Sequence, residues 1–264
     1  VLSMKQRPAA SEVVSLFSAT FIFYLVMPAF AFIIVKIMVK TIKIRPSRQG
    51  AYMFMLIFSN VGFMGMPILQ AACGDQGDTA VFYAAVMNIF FNLSAFTYGV
   101  IMIGYGDDTK NGFQLKSLLS PGIIGAVLAI VIYLFQIPFP ATIESVIGTV
   151  GELTSPLAMI LVGATLASIR FAEVFNEWRI YVFAIIKQFI LPILLYPVFR
   201  LFLGESLLFN VLFIEFLMPI ANTALMLSGE YGGDTKFISK AIFISTALSL
   251  ITMPLTIYLC GIIY

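Results

Sequence analysis

The chain has no histidine, one tryptophan and two cysteines in 264 residues, and only 11% of its residues are charged. Without histidine, imidazole-assisted serine catalysis and an HExxH zinc centre are both excluded. Cys73 and Cys260 each sit inside an apolar run, which argues against a disulfide framework or a thiolate metal site. No P-loop string occurs, so ATP-driven work by this chain alone is not expected. The scarcity of charge also excludes an ordinary soluble domain, in which roughly a quarter of residues are charged.

What fills the chain instead is apolar: 61% of residues are hydrophobic and 26 are phenylalanine. Lipid solvates such side chains directly, and only closed helices or barrels satisfy their backbone there. The expected fold is all-α and polytopic. Eight apolar stretches, 14–39, 50–73, 79–103, 118–135, 146–168, 180–203, 207–228 and 236–264, are each long enough to cross roughly 30 Å of hydrocarbon as a helix. Residues 1–13 read as a loop, 105–116 as the longest polar loop, and the proline-rich 136–144 as a turn.

Orientation follows from lysine and arginine. With the N-terminus outside, the inner ends hold Lys36, Lys40, Lys43, Arg45, Arg48, Lys110, Lys116, Arg170, Arg179, Lys236 and Lys240, while the outer ends hold only Lys5, Arg7 and Arg200. Positive charge is retained on the cytoplasmic side. Both termini of the chain are therefore expected outside a plasma or inner cell membrane.

Two apolar stretches carry helix breakers at matching places. In SNVGFMGMPILQAACG, residues 59–74, Asn60, Gly62, Gly65 and Pro67 crowd together; in EFLMPIANTALMLSGEYGG, residues 215–233, Pro219 and Asn222 do the same. Paired interruptions of this kind point to the substrate site of a secondary transporter. The string Gly77-Asp78-Thr79 after the first and Gly233-Asp234-Thr235 after the second mark a weak internal repeat. On the loop count the two copies fall on opposite sides of the membrane, which makes the repeat inverted. Three spans precede the 105–116 loop and five follow it. A five-plus-five plan then lacks its first two helices here, in keeping with Val1 at the start, and ten helices are expected in the whole protein.

The strings FSNVGFMGMPILQAACG, SPLAMILVGATLA, and LMPIANTALMLSGEYGGD followed by STALSLITMPL resemble the auxin efflux carrier family, which includes plant auxin transporters and bacterial malate and malonate permeases. The resemblance implies ten helices in an inverted repeat, with two proline-broken helices crossing near the membrane middle. By that resemblance, Pro67 and Pro219 are the crossover prolines and Asn60 and Asn222 the nearby polar groups. It also places the missing part in a scaffold used for dimer contacts, so a homodimer is compatible with it. The expected division is 14–105 and 178–264 as the two sets of transport helices and 117–170 as scaffold.

Half-helix N-termini carry partial positive charge and suit a carboxylate. Asn60, Gly62, Gly65, Pro67, Pro219, Asn222 and Thr223 are therefore the candidate substrate-binding residues, and a small organic anion is the expected substrate. Ser59, beside Asn60, is a further candidate ligand or a hydroxyl bonded to its own backbone. The bland alternative is that the glycines only permit close packing and Pro67 only kinks its helix. Lys187 and Glu215 fall inside apolar spans, where ionisable groups are functional suspects. They are expected to pair, or Glu215 to carry a coupling proton and Lys187 to attract the anion; the alternative is a purely structural pair, or Lys187 snorkelling toward the interface. Asn88 and Asn92 are expected to bond between helices.

No cofactor is expected beyond a coupling H+ or Na+, and no partner beyond the anion, the lipid bilayer and a second copy; nucleic acid is not one. An enzyme reading rests on Gly104-Tyr105-Gly106-Asp107, the GxGD string of intramembrane aspartyl proteases, which lacks here the second carboxylate that chemistry requires. The rival function is a channel or a solute sensor, and a pore requires a ring of polar groups rather than paired inverted breaks.

Overall fold

Two of the long apolar stretches are not single helices. In the computed structural model, which describes residues 10–104, 137–153 and 176–261 with single positions between 124 and 167, both stop near their middles and restart. The first half runs as α1 (Ala10–Thr41), α2 (Gln49–Ile57), α3 (Val61–Ala72) and α4 (Gly74–Ile103). After α5 (Ala141–Glu152) come α6 (Trp178–Leu203), α7 (Leu207–Leu217), α8 (Thr223–Tyr231) and α9 (Thr235–Cys260). The fold is all-α, and no strand occurs among the described residues.

Helices α1, α4, α6 and α9 are long and apolar enough to span a bilayer, and α3 and α7 are shorter apolar pieces. Their outer faces show why: Phe21, Leu25 and Ile33 of α1, and Leu194, Leu201 and Phe202 of α6, are exposed. Such surface is stable against lipid and not against water. At about 1.5 Å per residue, the nine residues of α2 and the eleven of α7 each cover only about half of a roughly 30 Å core. Both breaks thus fall near mid-depth.

Helix α1 packs on α2 and α4, and α6 packs on α7 and α9. The two triads interlock where α7 meets α4 and α8 meets the end of α4. One end of the bundle is tied by Arg48. Its guanidinium bonds Glu177 at 3.0 Å and Asp234 at 2.7 Å and lies 4.3 Å from the centre of the Phe237 ring. Burial draws this guanidinium down, but the bonds to Glu177 and Asp234 outweigh it and hold it above its ordinary range. At the other end the Tyr83 hydroxyl donates to Glu12, joining the starts of α4 and α1. The repeated Gly-Asp-Thr strings therefore lie at opposite ends, each at the start of the last helix of its half. Asp234 caps α9 by accepting the Phe237 N–H, and Asp78 sits in the first turn of α4's regular helix.

Two sequence expectations shift. Residues 10–13 are helix rather than loop, with Glu12 in the first turn of α1, where a carboxylate suits the positive helix end. The proline-rich turn ends at Pro140, which precedes α5, so helix begins five residues before the expected 146. The 105–116 loop with Asp107, the 118–135 span, the 117–170 scaffold apart from α5, and most of 154–175 lie outside the described residues.

Two of the prolines inside the helices leave carbonyls without their i+4 donor that another helix then supplies. Pro28 leaves the Tyr24 carbonyl free, and the Tyr98 hydroxyl of α4 donates to it at 3.0 Å. Pro192 does the same to Gln188, whose carbonyl accepts from the Thr256 hydroxyl of α9 at 3.5 Å. In each half, the third helix completes the first.

Candidate functional site at the helix crossing

The two breaks meet. Ser59 and Ile220 form an isolated antiparallel bridge, in which the Asn60 N–H donates to the Pro219 carbonyl at 2.8 Å and the Ala221 N–H to the Phe58 carbonyl at 3.1 Å. An unpaired peptide group in this setting costs several kcal/mol, so each break is the other's solution. Around the first break, Phe58 is held among Tyr24, Phe54, Phe91 and Tyr98, with ring centres 4.3 to 6.1 Å away. The second is held by Ser245 of α9, which accepts the Ile220 N–H and donates to the Ile242 carbonyl.

Asn60 caps the turn that opens α3: its Oδ1 accepts the Phe63 N–H at 3.3 Å, and its own carbonyl accepts from Met64 and Gly65. Asn222 sits at the matching start of α8 but makes no such bond. It is buried, and both of its side-chain polar atoms lack a partner. Thr223 beside it is half-buried. The two asparagines match in place and differ in what they have left to offer.

Lys187 is fully buried, at 0% exposure, in a π-turn of α6 spanning Ile186–Ile190. Its Nζ donates to the Ser59 hydroxyl at 2.7 Å and the Met218 carbonyl at 3.0 Å. Met218 follows the last residue of α7, where the helix dipole is negative and a cation is favoured. An ammonium has three donors; two are used. Glu215 is equally buried, at 1% exposure, yet neither carboxyl oxygen has a partner. The expected Lys187–Glu215 ion pair does not form. The ammonium is held instead by a carbonyl and a hydroxyl of the breaks.

Glu215 points at Gly65. A Cβ built on Gly65 would come 2.4 Å from both carboxyl oxygens, whereas one on Gly62 would meet the Asn88 side chain no closer than 3.6 Å. A side chain at Gly65 would have to displace the Glu215 carboxyl, whereas one at Gly62 meets only ordinary contact. Asn88 does not bond between helices; its carbonyl accepts from Asn92 on the same helix. Pro67 is not at the crossing either. It lies in the second position of the regular part of α3, eight residues past Ser59 and directly after the Val61–Gly65 turn, so it sits inside a continuous helix, where its missing N–H leaves a carbonyl of the preceding turn without its helical donor. Ser59 and Glu215 both line a cavity of about 10 Å³ with Phe23, Tyr24 and Val61, room for about one water.

Sequence reasoning passed over Phe58, Ser245 and Gln188. The last two left a signal: Ser245 lies within STALSLITMPL and Gln188 follows Lys187 as a second polar residue in an apolar span. Gln188 donates to the Ser245 carbonyl, and its Oε1 is buried without a partner.

A family model described as "membrane transport protein" matches residues 5–111 and 108–257, covering both breaks. The chain belongs to this auxin efflux carrier-like family. Among curated proteins, it is 27% identical over 219 residues to an uncharacterized transporter of Methanocaldococcus jannaschii, an alignment covering 81% of this chain and 69% of that protein. An uncharacterized transporter of Methanothermobacter thermautotrophicus is 25% identical over 197 residues, covering 74% of this chain and 63% of that relative. This member of the membrane transport protein family is thus a multi-pass membrane transporter whose two interrupted helices cross at mid-depth.

Proposed function

We propose that the chain is a secondary carrier of small organic anions, malate- or malonate-like carboxylates or auxin-like acids, working by alternating access. The observation that carries this reading is Lys187, a fully buried amine held by both breaks and paired with no carboxylate among the described residues. A buried cation without an anionic partner is costly, and a carboxylate from outside would offset that cost. The third Lys187 donor, the unbonded Asn222 amide and the start of α8 would supply the contacts.

The two triads are tied to each other at the crossing, at the α7–α4 contact and through Arg48, so they would move together, the transport helices 14–105 and 178–264 shifting against the 117–170 scaffold. The arginine and lysine bias supports placing the Arg48–Glu177–Asp234 end at the cytoplasmic face. The direct test is uptake of mono- and dicarboxylates into liposomes by the purified chain, with thermal shifts in detergent as a second readout. Saturable carboxylate uptake and a matching rise in Tm are expected; transport of cations or sugars with no carboxylate among the substrates would overturn it.

A further inference from the structure

Among the described residues Glu215 is the one carboxyl in the crossing, and the arrangement gives it nothing to hold. Both oxygens are buried and unbonded. A carboxylate stripped of water and of donors is among the costliest groups to bury, and a neutral carboxyl costs far less. The groups around it explain neither an ion pair nor a cap. Helix α6 brings Lys187, which is committed to Ser59 and Met218; α1 brings Tyr24 and Phe23 to the shared cavity; α3 brings the bare backbone of Gly65. Helix α4 brings the Tyr98 hydroxyl, which donates to the Tyr24 carbonyl, and carries Asp78 at its start, while α9 carries Lys236 and Lys240 at its start, away from mid-depth.

A small cavity adjoins the Glu215 side chain. It is the size of one water and is lined by Glu215 and by Ser59, the same hydroxyl that accepts from Lys187. The carboxyl oxygens themselves are sealed from it and turned toward Gly65, so a shift that widens this cavity is what would bring water to the carboxyl. Charge then decides what the crossing can bind. With Glu215 neutral, Lys187 leaves a net positive charge that draws an anion. With Glu215 ionised, the two cancel, and the carboxylate competes for the free Lys187 donor. Proton and anion therefore favour each other's binding, and by reciprocity each raises the other's affinity by the same factor.

Resting on the carrier reading above, we propose that Glu215 is the proton-binding site of a proton-coupled anion carrier. It takes up one proton together with the substrate and returns it to water when the Ser59 cavity opens on the other side.

The test reconstitutes the full chain in liposomes with labelled malate as the probe, a pH dye inside and the membrane potential clamped, and compares it with Glu215→Gln. An inward proton gradient of one pH unit should drive wild-type accumulation to about tenfold, the limit for one coupled proton, with acidification of the interior. Glu215→Gln, fixed in the neutral form, should show exchange that no longer depends on pH, no gradient-driven accumulation and no acidification. Glu215→Asp, which keeps a carboxyl, should recover part of the proton flux. Proton flux persisting with malate in Glu215→Gln, or wild-type accumulation indifferent to the gradient, would overturn the assignment. If the wild-type chain moves no carboxylate, the carrier reading fails and infrared difference spectra across pH judge the site by itself. A protonated-carboxyl band present in the wild type and absent in Glu215→Gln supports it; a wild type without that band refutes it.

Discussion

Lys187 Nζ lies 2.7 Å from Ser59 Oγ and 3.0 Å from the Met218 carbonyl, so one ammonium from α6 touches both broken helices. Two effects compete when it is removed. Lys187→Met leaves a buried carbonyl and hydroxyl short of a donor, at about 1–3 kcal/mol. It also removes a fully desolvated charge with no anionic partner, whose effective penalty is several kcal/mol. The second effect is larger. The expected outcome is a Tm in detergent that holds or rises while carboxylate uptake is lost; a large fall in Tm with uptake intact would mark a structural lysine.

Asn60 and Asn222 should separate in mutagenesis although they occupy matching places. Asn60→Ala loses the bond to the Phe63 N–H, a cap worth about 1 kcal/mol, and should lower Tm. Asn222→Ala loses no bond within the chain, so Tm should stay level while apparent affinity for the transported anion falls about tenfold, the effect of one lost contact of about 1.4 kcal/mol. Equal behaviour of the two variants in both assays would contradict the asymmetry.

That asymmetry marks the limit of what the amino-acid sequence discloses. The all-α membrane class, the two interruptions and the suspicion attached to Lys187 and Glu215 are all legible, because composition and breakers are local signals. The position of the first break is not. It falls at Phe58–Asn60, well before Pro67, because backbone groups there pair with Pro219 and Ala221 some 160 residues away. Nothing local in Phe-Ser-Asn announces that partner. Lys187 misleads for a similar reason: an acidic residue is the obvious mate for a buried lysine, and the actual mate is a carbonyl that exists as an acceptor only because α7 stops.

The glycines give a sharper contrast. Gly65→Ala would place a methyl 2.4 Å from the Glu215 carboxyl oxygens, while Gly62→Ala reaches only ordinary contact with Asn88. Overpacking at the first site should cost about 1–3 kcal/mol and be relieved by shortening the acid in a Gly65→Ala, Glu215→Asp double variant. Gly62→Ala should fold as the wild type does. The check is Tm for the three variants; equal loss at Gly62 and Gly65 would mean that the glycines serve backbone freedom instead.

Tyr98 and Pro28 should be coupled. Tyr98→Phe strands the Tyr24 carbonyl that Pro28 leaves without its helical donor, at about 1–3 kcal/mol. In a Pro28→Ala background the helix can supply that bond, so the same change should cost much less. Additive losses in this double-mutant cycle would show that the hydroxyl is not serving the carbonyl.

A crossing that exposes one anion site alternately to the two sides of the membrane must support counterflow. Liposomes bearing the chain are loaded with unlabelled malate and diluted into a trace of labelled malate, with Asn222→Ala and Lys187→Met in parallel. The account predicts a transient rise of label inside above its outside concentration, strongly reduced in both variants. Label that only equilibrates, at a rate linear in concentration and equal in all three, would be the behaviour of a pore and would contradict it.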